Sequence, residues 1–181
     1  MTLKEMKMRV LSLIEEVSPD SEYLTDDIDI QAKINYVIDM KMHELARIKR
    51  LPAMDTMRVK ALDEVDLSKE LKNFYKLKSI SGVSYDIFEG LVTFMEEGIA
   101  IVKYYKYPKM ITSETKDEDY KFELSTDVLE IMPLGVAADL LKSDVSAQFG
   151  KIYEDAYTKA LNMLDTRTTE GMVEIKGGLN V

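Results

Sequence analysis

The chain contains no cysteine and no tryptophan, and its 181 residues include a single histidine and four prolines. Without cysteine, the sequence excludes disulfide bonds, thiolate metal sites and cysteine nucleophiles. It also lacks the glycine-rich signatures that bind nucleotide phosphates and the Gly-x-Ser-x-Gly elbow of serine hydrolases. No apolar run approaches the roughly 20 residues that cross a bilayer. We therefore predict neither an enzyme nor a membrane protein, and we expect no metal and no cofactor.

Positive charge is also scarce: 33 acidic residues outnumber 24 lysines and arginines, which gives a formal net charge of −9. Phosphates repel such a chain at long range, so the composition argues against DNA affinity through a basic face. The same sign would suit a surface that DNA must pass without sticking. Apolar residues make up 46% of the chain, as in a soluble globular protein. The charged first seven residues lack the apolar block of a signal peptide.

Helical periodicity occurs at both ends of the chain. Apolar spacing predicts a first helix over residues 2–17 and a second from just after Thr25 to about Arg50, where Pro52 stops it. Ser125, Thr126 and Asp127 are typical of a helix start, and further helical patterns cover residues 136–143 and 146–165. Between the first two of these C-terminal segments, we expect Pro133 to kink or split the helix.

The middle of the chain changes to strand-like patterns. The best strand candidate runs over residues 99–107, and turn signals at residues 89–90 and 97–98 separate shorter candidates before it. Residues 54–65 are ambiguous between strand and loop, and residues 66–74 fit a short helix or a turn. Residues 112–119 are polar and predict an exposed loop, followed by alternation typical of a short strand at 120–124.

These patterns predict one α+β domain. A helical bundle formed by residues 1–51 and 125–168 would carry a β-rich insertion, residues 52–124. Residues 169–181 would form an extended C-terminal arm. The arm alternates at Val173 and Ile175 and then contains a double glycine that lets it bend, features that suit β-strand addition to a partner.

Three groups of residues are candidates for a metal site or a nucleic-acid-binding site. Asp39 and His43 are spaced to share a metal on one helix face, beside Glu44, but a two-metal bundle would need further Glu-x-x-His motifs. The acidic residues 117–119 resemble half a calcium loop without its glycine and glutamate. Lysines 103, 106 and 109 alternate with tyrosines, as in some single-strand-binding surfaces. We favour a packed or surface histidine, a solvated loop and a half-buried strand, respectively.

The order of the parts resembles the head-to-tail connector (adaptor) proteins of tailed bacteriophages. The resemblance covers roughly residues 25–168, and its motifs are short, so its specificity comes from their order. Its residues are Tyr36-Val37-Ile38, Glu44-Leu45-Ala46-Arg47, Leu51-Pro52-Ala53, Asp66-Leu67, Asn73-Phe74-Tyr75-Lys76-Leu77, Ile80-Ser81-Gly82, Ile101 to Pro108, Leu134-Gly135-Val136-Ala137-Ala138-Asp139-Leu140-Leu141, Tyr153, Tyr157 and Leu164-Asp165-Thr166-Arg167. The β-rich insertion departs from the smallest, all-helical members of that family.

The resemblance implies a structural virion protein at the head–tail interface, assembled in the host cytoplasm. Such proteins form a homo-oligomeric ring, typically a dodecamer, beneath the portal protein. The opposite side of the ring receives a stopper or tail-completion protein, and double-stranded DNA passes through the lumen without specific binding.

Three sets of site residues accompany this expectation. We expect the arm to bind the portal, small or aromatic residues of the last helices to pack between subunits, and the loop to contact the next neck component or the lumen. The arm set is Met172, Val173, Ile175, Gly177, Gly178 and Leu179. The packing set is Gly135, Ala137, Ala138, Leu141, Tyr153 and Tyr157, and the loop set is Lys116, Asp117, Glu118 and Asp119.

Two alternatives stay open at the level of sequence. One is a tail-completion or other neck protein that binds the tail tube instead of the portal. The other is a metal-dependent protein centred on His43.

Overall fold

The computed structural model describes residues 1–18, 20, 24–142 and 147–164, and these residues form an α+β fold. Five helices and six strands occur in that part of the chain. In order they are α1 (Leu3–Leu13), α2 (Ile28–Lys49), β1 (Leu51–Val59), β2 (Glu64–Asp66), α3 (Leu67–Glu70), β3 (Phe74–Ser81), β4 (Tyr85–Phe88), β5 (Leu91–Phe94), β6 (Gly98–Lys106), α4 (Thr126–Leu141) and α5 (Ala147–Met163). The predicted fold class is therefore confirmed for the described residues.

Helix α4 is the centre of the helical part and packs against α1, α2 and α5. Its sequence is apolar around most of its circumference, so it buries residues on several faces, including Val128, Met132 and Val136. The long α2 contributes a narrower apolar stripe that includes Ile38, Met42 and Leu45. These side chains form one helical core, to which α1 also contributes buried residues.

Of the two outcomes predicted for Pro133, a kinked helix or a split one, the split is wrong, because α4 continues through Pro133 from Thr126 to Leu141. Proline in a helix interior removes one hydrogen bond and clashes with the preceding turn, at a cost of about 3 kcal/mol. Pro133 is itself buried, and its neighbours in α4 pack against three other helices. Packing on several sides therefore offsets the local cost of the proline.

Short-range signals fix where the first helices begin. Thr2 and Glu5 form a reciprocal capping box at the start of α1. Asp27 accepts hydrogen bonds from the amides of Asp29 and Ile30 at the start of α2. Helix α1 ends at Leu13, four residues earlier than the predicted end at residue 17, whereas α2 closely matches its prediction.

The β-rich part consists of two three-stranded antiparallel sheets, in the orders β1-β6-β3 and β2-β5-β4. The strongest predicted strand, β6, is the central strand of the first sheet, where it pairs with both β1 and β3. Side chains from both sheets share a second hydrophobic core that includes Val102, Val92 and Phe94. The segment that was ambiguous in sequence, residues 54–65, includes most of β1 and of β2.

Two turns in this part depend on glycine. Gly82 has a positive φ of 95°, and a Cβ there would lie 2.4 Å from the carbonyl oxygen of Ile99. Glu89 and Gly90, both with positive φ, form the predicted turn between β4 and β5. The backbone at these points is therefore closely determined by sequence.

Residues after β6 return to the helical core. Tyr120, Phe122 and Leu124 are buried there and alternate with exposed residues, but they form no strand beyond one bridge between Lys121 and Thr2. The predicted short strand at 120–124 is therefore wrong, although its alternation correctly indicated one buried side. Ile111, which follows β6, also packs in the helical core. The predicted limits of the insertion, residues 52–124, stay a prediction.

Candidate interaction surfaces

The predicted packing residues of α4 lie inside the chain. Gly135, Ala137 and Ala138 are buried in this single chain, and Tyr157 of α5 is 6% exposed. These residues pack α4 against α2 and α5 of the same chain. Their assignment to contacts between subunits stays a prediction.

The other two members of that set are partly exposed. Leu141 lies at the end of α4, and Tyr153 lies in α5, where its hydroxyl donates to the carbonyl oxygen of Leu13. This bond ties α5 to the end of α1. Tyr153 therefore also serves contacts within the chain.

A polar network crosses the helical part around Lys41. Its Nζ lies 2.8 Å from Glu44 Oε2 and 2.9 Å from Asp139 Oδ2, while the Tyr157 hydroxyl donates to Glu44 Oε1 at 2.9 Å. The ammonium also lies 4.8 Å from the centre of the Tyr157 ring, within cation–π range. The lysine side chain is 9% exposed, so its charge is held by partners rather than by water.

Protonation states in this network follow from burial and pairing. Burial lowers the pKa of Lys41, but the carboxylates of Glu44 and Asp139 raise it more, so its pKa lies above the ordinary value. Burial raises the pKa of Asp139, but Lys142 and Lys41 lower it more, so its pKa lies below the ordinary value. Burial, followed by Glu44, raises the pKa of the Tyr157 hydroxyl. The network is therefore charged and fixed at neutral pH, as expected of a structural clamp.

The predicted loop contact set is anchored on α1. Lys7 Nζ lies 2.8 Å from Asp117 Oδ1, and Lys4 Nζ lies 2.9 Å from Glu118 Oε1. The amide of Lys4 also donates to the carbonyl oxygen of Asp117 at 3.0 Å. The loop is therefore exposed, as predicted, but it is held in place rather than free.

This loop forms one wall of a wide groove of about 1320 Å³. Helices α1 and α2 form the other walls, with Met8 and the 66%-exposed Tyr36 among the lining residues. Lys116 and Asp119 also line it, so charges of both signs surround an apolar strip. Such a surface suits a protein partner better than a small ligand, whose pockets are more enclosed and more apolar.

Asp39, His43 and Glu44 are the residues on which a metal site centred on His43 would depend. His43 Nε2 lies 3.7 Å from Asp39 Oδ1, which already accepts the amide of Ile111 at 2.7 Å. Glu44 turns away from them toward Lys41 and Tyr157. Within the described residues, no three potential ligands from histidine, cysteine, aspartate and glutamate come together at one point. The structure therefore does not assemble Asp39, His43 and Glu44 into one site.

The basic–aromatic run of β6 is divided between two faces. Tyr104 and Tyr105 are both buried on opposite faces of the sheet, as the favoured interpretation predicted. Lys103 is exposed on one face, whereas Lys106 points to the other side and pairs with Glu123. A continuous single-strand-binding stripe along β6 is thus absent from these residues.

Sequence reasoning missed a second apolar face on α5. Phe149, Ile152 and Met163 are 62%, 62% and 72% exposed, and Ala156 and Ala160 lie between them on the same helical face. The buried face of α5, which carries Tyr157, is a separate stripe. The missed signal was that the apolar residues of α5 lie at two different phases of the helical repeat. A single buried stripe would need only one of them. We call these five residues the outer α5 face.

The predicted arm residues, from Met172 to Leu179, lie outside the described residues. No protein-family model matches this chain, and a search of curated proteins finds no match either. Within the described part of the chain, no helix is long and apolar enough to cross a membrane.

Proposed function

We propose that this protein is a structural connector of a virion neck, which forms a ring beneath a portal and joins capsid to tail. The sequence resemblance supplies the family, and the outer α5 face is the observation that supports assembly most directly. Three large apolar side chains, each more than 60% exposed on one helix, form a surface typical of protein contacts.

The remaining geometry supports an assembly role rather than chemistry. The charged groups of the Lys41 network pair with one another and tie three helices together. The anchored loop at 112–119 gives the groove a fixed wall for a second neck protein. In this proposal, α5 contacts the adjacent copy in the ring, the loop faces the next neck component or the lumen, and the arm adds a strand to the portal.

Binding to separately purified portal and tail-tube proteins tests the proposal. We expect the wild-type chain to bind the portal, and Val173→Asp with Ile175→Asp to bind it at least about tenfold more weakly, since charged residues oppose burial of an added strand. Val173→Leu with Ile175→Leu is the matched control and should retain binding.

Portal binding that survives the two aspartates would contradict the assignment of the arm. Binding to the tail tube instead of the portal would support the alternative of a tail-completion protein.

A further inference from the structure

Most of one face of the β1-β6-β3 sheet is exposed in the described chain, although Tyr105, near the end of β6 on that face, is buried and lies beneath Arg50. The opposite face packs into the second core through residues such as Val102 and Ile80. On the uncovered face, strand register aligns Met54 with Lys103 and Arg58 with Ile99. We call this surface the outer sheet face, and its exposed members are Met54, Thr56, Arg58, Lys76, Ser81, Ile99, Ile101 and Lys103.

The charge of this face has the opposite sign to that of the whole chain. Arg58, Lys76 and Lys103 contribute three positive charges, and none of the strand residues on the face is acidic. The chain as a whole carries −9. Within the described residues, no carboxylate lies within ion-pair distance of these three side chains. The rest of the molecular surface is therefore more acidic than the net charge suggests.

Apolar side chains separate the cations. Met54 and Ile99 are 63% and 54% exposed, and Ile101 beside them is 37% exposed. Nucleic-acid backbones are bound by polar and cationic groups, whereas an apolar centre with a charged rim is typical of a protein interface. The composition of the outer sheet face thus favours a protein partner with carboxylates around an apolar patch.

Charge also determines which arrangement of copies is possible. Packing of two outer sheet faces across a two-fold axis is disfavoured, because it would bring their like charges close together. The acidic remainder of a second copy has the complementary sign. A basic face on one copy and an acidic surface on the next produce a head-to-tail contact, which closes into a ring when the rotation allows.

We propose that the outer sheet face binds the acidic surface of a second copy of this chain, head to tail. The contact deepens the ring assembly proposed above, and it can be tested without any portal protein. The apolar centre supplies the buried area, and the three cations set the orientation and disfavour the two-fold arrangement.

The first test is sedimentation velocity of the purified full-length chain over increasing concentration. We expect self-association that weakens as salt is raised, because screening reduces attraction between exposed charges. Arg58→Glu with Lys103→Glu should weaken association by about tenfold or more. Lys33→Glu with Lys121→Glu, two exposed lysines outside the face, is the matched control with the same change in charge and should associate like the wild type.

The second test mixes the two chains. A fluorescent Arg58→Glu, Lys103→Glu chain keeps its acidic surface, so it should bind the outer sheet face of wild-type chains although it does not bind itself. Circular dichroism establishes that the variant is folded. A wild type that stays monomeric at all concentrations, or a variant that associates like wild type, would overturn the proposal.

Binding of duplex DNA in place of a second copy would also overturn it. Loss of portal binding with intact self-association would instead contradict the proposed function and leave this contact standing.

Discussion

At the scale of single residues, the centre of the helical part depends on the absence of a side chain. A Cβ on Gly135 would lie 2.9 Å from Lys41 Cδ and 2.9 Å from Tyr157 Cε2, closer than side chains pack. Glycine thus admits the lysine stem and the tyrosine ring whose polar ends meet at Glu44. The sequence correctly indicated a close helix approach at Gly135, but it could not show that the approaching helices belong to the same chain.

Gly135→Ala tests this packing. Alanine is more favourable than glycine in a helix by about 1 kcal/mol. The clash therefore lowers the free energy of unfolding only if it costs more than that gain. We expect a net loss of about 1–3 kcal/mol in the free energy of unfolding, measured by urea denaturation. In a Lys41→Ala background the loss should shrink, because one of the two obstructing side chains is gone. An equal loss in both backgrounds would contradict the contact.

Asp139 gives the fold a dependence on pH. Burial raises the pKa of Asp139, but Lys142 and Lys41 lower it more, so this pKa lies below its ordinary value of 3.8. A carboxyl with a lowered folded pKa stabilises the fold above its unfolded pKa, and that contribution is lost as pH falls through the folded pKa. We expect Asp139→Asn to reduce stability at pH 7 and to flatten the loss of stability below about pH 4.

Urea denaturation at pH values from 7 to 3 measures this effect. Asp155→Asn is the control, since that carboxylate is largely exposed and pairs with Lys151 across the helix surface. If the free energy of unfolding fell as steeply with decreasing pH in Asp139→Asn as in the wild type, the role of Asp139 would be contradicted.

At the scale of elements, the sequence predicted those helices, strands and turns that neighbouring residues determine. Residues within a few positions of one another determine the caps and the apolar stripe of α2. The same is true of the turn at residues 89–90 and of the β-branched run of β6. The continuity of α4 through Pro133 and the burial of Tyr120 without a strand depend on distant partners. No pattern within a few residues could reveal those partners.

The outer α5 face leads to a prediction at this scale. Phe149→Ser with Ile152→Ser changes two side chains that are each 62% exposed, so stability should change by less than about 0.5 kcal/mol per site. We expect the variant to bind the portal without completing a ring, because contacts between adjacent copies are lost. The mass of the portal complex, from sedimentation, measures this outcome.

Gln148→Ser with Asp155→Ser is the control on other exposed positions of the same helix. A complete ring formed by the Phe149→Ser, Ile152→Ser chain would exclude the outer α5 face from the subunit contact.

At the scale of the whole molecule, two hydrophobic cores are joined by a small set of contacts. Arg50 lies over the ring of Tyr105, the rings of His43 and Tyr107 are 5.7 Å apart, and Lys106 pairs with Glu123. The grouping of three positive charges on the outer sheet face also belongs to this scale. The composition argued against a basic face, and only strand register brings Arg58, Lys76 and Lys103 to one side.

Separate cores predict partly separate stability. Phe94→Ala removes a fully buried ring from the core of the sheets, at a cost of about 3–5 kcal/mol. We expect hydrogen exchange to increase in the sheets while α2 and α4 keep most of their protection. Met132→Ala, in the helical core, should give the reverse pattern. Equal loss of protection in both parts would show that they unfold as one unit.

The central claim is that this chain builds a ring on a portal. Sedimentation velocity of portal mixed with the full-length chain, or with a chain ending at Thr169, tests it most directly. We predict that the full-length chain adds the mass of a ring of copies, about one dodecamer, whereas the shortened chain leaves the portal unchanged. A portal whose sedimentation is unchanged by the full-length chain would contradict the claim.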